Sequence, residues 1–111
     1  MPQRVAELEL VFRALADPTR RAVVERLGAG PTPTSELARP FAMALPSFLQ
    51  HIEMLEKAGL VSSTKEGRVR TYRLTPKPLL AIDDWMAAQR RLWERRLDQF
   101  DDYVRSLRDT T

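Results

Sequence analysis

The stretch Leu45-Pro-Ser-Phe-Leu-Gln-His-Ile-Glu-Met-Leu-Glu-Lys-Ala-Gly59, followed at once by Leu60-Val-Ser-Ser-Thr-Lys-Glu-Gly-Arg-Val-Arg-Thr-Tyr-Arg-Leu74, decides the fold. In its first half Phe48, Ile52 and Leu55 recur in steps of four and three, which places them on one face of a helix. Pro46 suits the first turn, where no backbone N–H is needed. Gly59 fits the left-handed cap at the far end, and Leu60 can pack back onto the last turn. In the second half the period drops to two. Strand formers on either side of a Glu66-Gly67 turn predict a β-hairpin over 60–74. Tyr72 and Leu74 share its core face, with Arg68 and Arg70 on the same side but nearer the turn, beyond the edge of the core.

Upstream, Val5 to Leu15 carries Leu8, Val11, Phe12 and Leu15 at helical spacing. Asp17-Pro18 is a cap followed by a first-turn proline and opens a second helix with Ala22, Val23, Arg26 and Leu27, which stops at Gly28-Ala29-Gly30. Arg20 and Arg21 are expected to cover the surface of that helix or form ion pairs. Thr32-Pro33 repeats the cap-then-proline signal before a short third helix, with Glu36 in its first turn and Leu37, Ala38 and Phe41 on its buried side. Downstream, Thr75-Pro76 precedes a long helix from about Pro78 to Leu107. Its stripe contains Trp85, Leu92 and Tyr103, and from Trp93 it runs Trp93, Leu97, Phe100, Val104, Leu107, a heptad-like seam wider than one small core needs.

The fold expected is mainly α with a small β-hairpin: four helices, two strands, one helix. It is expected to form one domain over 1–111, with a core at 4–75 and a long helix at 76–108. At 111 residues there is room for one core. With no cysteine and a single histidine, His51, disulfides, thiolate metal sites and cysteine nucleophiles are excluded. Asp83, Asp84, Asp98, Asp101 and Asp102 read as a solvated face, balanced by Arg90, Arg91, Arg95 and Arg96 through pairs at helical spacing. There is no nucleophile–base pair and no glycine-rich phosphate loop, so no catalytic residue, metal or cofactor is expected. No apolar run is long enough to span a bilayer, and Met1-Pro2-Gln3-Arg4 does not open a signal peptide, which points to the cytoplasm.

A short helix, a tight connection and a helix with one apolar face make a helix-turn-helix, and the hairpin behind it is a wing. A net charge of +3 suits an anionic partner without singling one out. The outward side of the fourth helix holds Ser47, Gln50, His51 and Met54. Ser and Gln side chains can bond base edges in the major groove of DNA, and Leu45 and Pro46 can meet a thymine methyl. Lys65, Arg68, Arg70 and Arg73 about the wing suit phosphates or an adjacent minor groove. Thr34 and Ser35 suit a phosphate through hydroxyls and helix N-terminal N–H groups. His51 has two readings, a base contact or pH switch and a half-buried histidine bonded locally, and the second is preferred. Trp93 reads as core or seam, and Trp85 as seam or as the wall of a pocket. The rival function is a winged-helix protein-interaction module that binds no DNA.

Phe12-Arg-Ala-Leu-Ala-Asp-Pro-Thr-Arg-Arg21, Glu36-Leu-Ala38, the Pro46–His51 helix, Leu55-Glu-Lys-Ala-Gly-Leu-Val61 and Gly67-Arg68 with Tyr72-Arg-Leu74 resemble the ArsR/SmtB family of bacterial transcriptional regulators, from about Leu8 to Tyr103. Trp93-Glu-Arg-Arg-Leu-Asp98 is similar to a metal-independent branch. The resemblance implies a homodimer formed through the first and last helices, at Leu8, Phe12, Trp85, Leu92, Trp93, Leu97, Phe100, Tyr103 and Val104. It also implies a repressor of its own operon that binds a pseudo-palindromic operator until an effector, here an unidentified small molecule if any, releases it. The metal-sensing cysteines of the family are absent. Ala44 and Leu49-Gln50 stand where the family's recognition helix carries serine and Ser-Lys.

Overall fold

The computed structural model describes residues 2–109, with side chains from Val5 onward; Met1-Pro2-Gln3-Arg4 therefore lies outside the described side chains. The order is α1 (Pro2–Leu15), α2 (Pro18–Leu27), β1 (Thr32–Pro33), α3 (Thr34–Ala38), α4 (Leu45–Lys57), β2 (Val61–Glu66), β3 (Val69–Leu74) and α5 (Lys77–Asp109). The chain divides into two compact units, Met1–Ala81 and Ile82–Thr111.

The first unit closes around Val11 and Ala14 of α1, Val23 and Leu27 of α2, Leu37 of α3, Phe48, Ile52 and Leu55 of α4, and Leu60, Val61 and Tyr72 of the sheet region. Each helix contributes the residues that its spacing puts on one face. Fully burying a side chain of this size is worth roughly 1.5–3 kcal/mol. Gly59 sits at φ 76 after α4. Leu60 turns back, its N–H bonding the Leu55 carbonyl at 3.0 Å, while its own carbonyl accepts from the Thr75 N–H at 2.8 Å.

α1 ends without a glycine, and its last carbonyls find partners on α2. The Arg20 Nε donates to the Ala14 carbonyl at 2.7 Å and its Nη2 to the Arg13 carbonyl at 3.2 Å. The Arg21 Nη1 donates to the Leu15 carbonyl at 2.8 Å. These are orphan acceptors at the negative end of the helix dipole, where a cation is favoured. Arg20 and Arg21 are thus the C-terminal cap of α1, not a surface coat.

The sheet has three strands in the order β1-β3-β2, not the two of a plain hairpin. Thr32 pairs with Tyr72 and Pro33 with Thr71. The expected cap of α3 by Thr32 is not made: the cap position is Pro33, which makes no side-chain bond, and the Thr32 hydroxyl donates to the Gly30 carbonyl at 3.0 Å. Proline, lacking an N–H, is tolerated on such an edge. The wing turn lies one residue later than expected. Glu66 pairs with Val69, leaving Gly67-Arg68 as a two-residue loop with Gly67 at φ 60, the geometry that suits a tight hairpin.

The second unit is the α5 helix from Ile82, slightly longer at its end than its stripe suggests, and no residue of α5 is buried. The expected ion pairs are not made: Arg90, Arg91, Arg95 and Arg96 have none among the described residues.

Asp17 caps α2 by accepting the Arg20 N–H at 3.0 Å. That bond holds its carboxyl below the usual range against the opposing effect of burial, helped by the charge of Arg20 and the Thr19 N–H. A depressed folded-state pKa means that the stabilisation is present above the unfolded value and lost as pH falls through the lowered one. Asp17→Ala should therefore cost about 1 kcal/mol in urea denaturation at neutral pH, Asp17→Asn less, and the alanine variant should converge on the parent in acid.

Candidate nucleic-acid interface

The geometry of α4 follows from what it buries. With Phe48 only 1% exposed and Ile52 and Leu55 equally enclosed, the opposite face must meet solvent. Leu45, Pro46, Ser47, Leu49, Gln50 and Glu53 are exposed, while His51 and Met54 are half-buried. The helix opens on Ala44, which supplies no side-chain cap. Phe41, beyond the end of α3, braces the start of α4 through a ring contact with Phe48 at 5.4 Å and 32°.

Thr34 and Ser35 occupy the first turn of α3. The Thr34 hydroxyl donates to the Arg70 carbonyl at 3.1 Å, tying α3 to the wing, while Ser35 is exposed. Burial pushes the Tyr72 hydroxyl up, with Glu56 adding to the shift and Arg70 and Thr34 opposing it. On the wing Lys65, Arg68, Arg70 and Arg73 are exposed with Glu66 as the one acid among them. The Arg70 Nη1 donates to Ser63 Oγ and the Arg73 Nη2 to Thr64 Oγ1, both at 2.8 Å. Lys65 stands directly opposite Arg70 in the ladder. Like charges in that position cost stability.

His51 is turned toward the start of α2. Its Nδ1 accepts from the Arg20 Nη1 at 3.0 Å and lies 3.8 Å from the Asp17 Oδ2, with 24% of its side chain exposed. The sequence reading missed Arg20 in this role. Its signal was indirect: a helix end at Leu15-Ala16 with no glycine, followed by an arginine three residues beyond an N-cap.

Of the residues expected at a dimer seam, Leu8 and Val104 are half-buried, whereas Phe12, Trp85 and Leu92 are exposed. Trp93, Leu97, Phe100 and Tyr103 are each 61–64% exposed. A groove of about 380 Å³ in the first unit is lined by apolar residues such as Leu8, Val11, Ala58 and Pro78 together with the charged Glu7, Lys57 and Lys77. No polar side chain is buried and no acidic or histidine cluster could hold a metal among the described residues. No described helix is long and apolar enough to cross a membrane.

A helix-turn-helix domain family matches residues 15–64. The HTH-type transcriptional regulator Rv2034 of Mycobacterium tuberculosis is 39% identical over 100 residues, covering 90% of this chain and 91% of the relative. The transcriptional repressor SdpR of Bacillus subtilis is 32% identical over 76 residues, covering 68% of this chain and 84% of the relative. The crystal structure of an ArsR family transcriptional regulator, RHA00566, is 53% identical with a TM-score of 0.77, covering 79% of this chain and 97% of that one.

Because Phe48 is enclosed in the core, Phe48→Ala should cost about 3–5 kcal/mol in chemical denaturation. Gln50→Ala should stay within about 0.5 kcal/mol of the parent, because its side chain is exposed.

Proposed function

The chain belongs to the ArsR/SmtB family of DNA-binding transcriptional regulators, and from that premise we propose that it works as a homodimeric repressor, one that does not sense metal through cysteines, on a pseudo-palindromic operator in its own operon. The observation that carries this is the division of α4: Phe48, Ile52 and Leu55 are buried and Ser47 and Gln50 exposed. A helix so divided offers small polar groups to base edges, with Leu45 and Pro46 available to a thymine methyl.

The wing supplies phosphate affinity. Lys65 opposite Arg70 is a cost in the free protein that a bound phosphate offsets, and Arg68 extends the cationic tip. Ser35 and the N–H groups at the start of α3 add a neutral phosphate contact. His51 stays outside the set of base-reading residues proposed, because its ring is turned toward the start of α2 and bonded there to Arg20.

Dimerisation follows from exposed apolar surface. Four large side chains more than 60% exposed along one stretch of α5 make a patch that a second copy would cover. Leu8 and Phe12 of α1 are proposed as a separate contribution to the dimer. The groove beside α1 offers an effector no buried polar partner, so we assign none. The SdpR relative is named a repressor, which supports the sign of the regulation.

Fluorescence anisotropy with a duplex from the protein's own upstream region, titrated with salt, tests the reading. Lys65→Ala and Arg68→Ala should each flatten the log-affinity slope by about 0.9 per lost phosphate contact. Ser47→Ala and Gln50→Ala should relax preference at single base pairs by roughly 1–3 kcal/mol. Unchanged slopes would remove the wing from the interface, and no binding to any duplex would leave the interaction-module reading standing. Leu97→Glu should give a monomer in sedimentation and lose operator binding; a dimer that persists would move the interface off α5.

A further inference from the structure

We propose that Arg20 and His51 are positioning residues: together they fix the rotation of α4 against the end of α1, so that His51 serves DNA recognition through Arg20 and not by touching a base. The proposal rests on the reading that α4 enters the major groove.

Arg20 is held at both ends. Its backbone N–H donates to the Asp17 Oδ2 at 3.0 Å. Its guanidinium spends three nitrogens on three acceptors, the Ala14 carbonyl, the Arg13 carbonyl and the His51 Nδ1, at 2.7, 3.2 and 3.0 Å. A guanidinium is planar and always charged, so its donors diverge at fixed angles. Two of them are set by the backbone of α1, and the direction of the third follows. It points to one atom on α4, 31 residues further along the chain.

That atom sits where it matters most. His51 adjoins Gln50 and lies one helical turn after Ser47, the two exposed polar residues proposed to read bases. The apolar contacts of Phe48, Ile52 and Leu55 hold α4 onto the core, but such contacts are non-directional and tolerate a small roll of the helix. A hydrogen bond loses strength steeply off its axis and resists that roll. Accepting at Nδ1 also fixes the ring's proton on Nε2, the tautomer left to a neutral imidazole whose Nδ1 is an acceptor. Asp17, 3.8 Å from the same nitrogen, keeps the cluster near charge balance beside Arg20.

If Arg20 were merely the cap of α1, replacing its partner on α4 would leave DNA binding alone. Asparagine and glutamine separate the two cases. In His51→Asn the shorter side-chain amide reaches to about where Nδ1 lies and can accept from Arg20. In His51→Gln the longer one reaches to about where Nε2 lies. The full chain is assayed by anisotropy on the specific duplex and on an unrelated one, with thermal melts of each variant. His51→Asn should stay within about twofold of the parent. His51→Gln and His51→Leu should lose up to about tenfold on the specific duplex and little on the unrelated one, the scale of one directional bond. Arg20→Lys, whose single ammonium cannot span three divergent acceptors, should lose as much, and adding His51→Leu to it should cost nothing more.

Three outcomes would overturn the proposal. Normal binding by His51→Gln with weakened binding by His51→Asn would make His51 a base contact through Nε2. All His51 variants binding like the parent while Ser47→Ala and Gln50→Ala bind poorly would leave Arg20 a cap alone. Ser47→Ala and Gln50→Ala binding like the parent as well would show that the groove reading itself, and the proposal with it, is wrong.

Discussion

α4 has a single face that water rejects, and the first unit is arranged around burying it. Phe48, Ile52 and Leu55 are the buried residues of a helix that packs against α1, α2 and β2. Once they are enclosed, the azimuth of every other residue on the helix follows from a step of about 100°. Ser47 and Gln50 are outside because Phe48 and Ile52 are inside. The cost of turning them inward would be several buried side chains at roughly 1.5–3 kcal/mol each, far more than any single polar contact could return. Core and interface are thus two sides of one constraint.

The wing obeys a different balance. Its strands pair across six residue pairs from Val61–Leu74 to Glu66–Val69, but only the end next to the core buries side chains. Val61 and Tyr72 are enclosed, and from Thr64 to Arg70 everything is exposed. The outer half therefore rests on backbone bonds, the Gly67 turn and the Arg70–Ser63 and Arg73–Thr64 side-chain bonds, with Thr34 fastening β3 to α3. A cationic tip that buries no side chain costs little to displace, which would suit the phosphate contact proposed for it better than base reading.

Periodicity made most of this legible in advance. The four helices of the first unit, the hairpin, the left-handed Gly59 and the Asp17 cap all declare themselves by spacing or by residue type, because each is a local property of the chain. What was not legible is tertiary. Thr32-Pro33 looks like a cap and is a strand, since two residues cannot show an alternation and the partner of Thr32, Tyr72, is far along the chain. The wing turn slipped by one residue because Glu66-Gly67 and Gly67-Arg68 both satisfy the need for a glycine. Arg20 was invisible as a hub, since a guanidinium on a helix surface usually ends in water and only the fold brings Arg13, Ala14 and His51 within its reach. The charges of α5 were over-read: opposite signs at helical spacing permit pairs without requiring them, since each exposed pair gains little, and exposed pairs form instead at Glu9–Arg13 and Glu53–Lys57.

The same hub bears on how a dimer and its DNA would influence one another. α1 presents Leu8 and Phe12 on its length and offers its last carbonyls to Arg20, which holds α4 through His51. In a homodimer gripped through α1, a shift at the last turn of that helix would reach the outward face of α4 through Arg20. Magnitude limits the device. A single hydrogen bond is worth about 1 kcal/mol net, so coupling through it cannot exceed roughly fivefold to tenfold in affinity. Coupling is also reciprocal: whatever fraction of the dimer's strength α1 transmits to DNA binding, bound DNA returns to the dimer by the same factor. A larger switch would need a second path between α1 and α4, and the packing of Val11 and Ala14 in the same core as Phe48 and Ile52 is the other route the fold contains. That route passes through non-directional contacts, so it transmits displacement well and rotation poorly, which leaves to Arg20 only the small roll of α4 within the azimuth that its buried face sets.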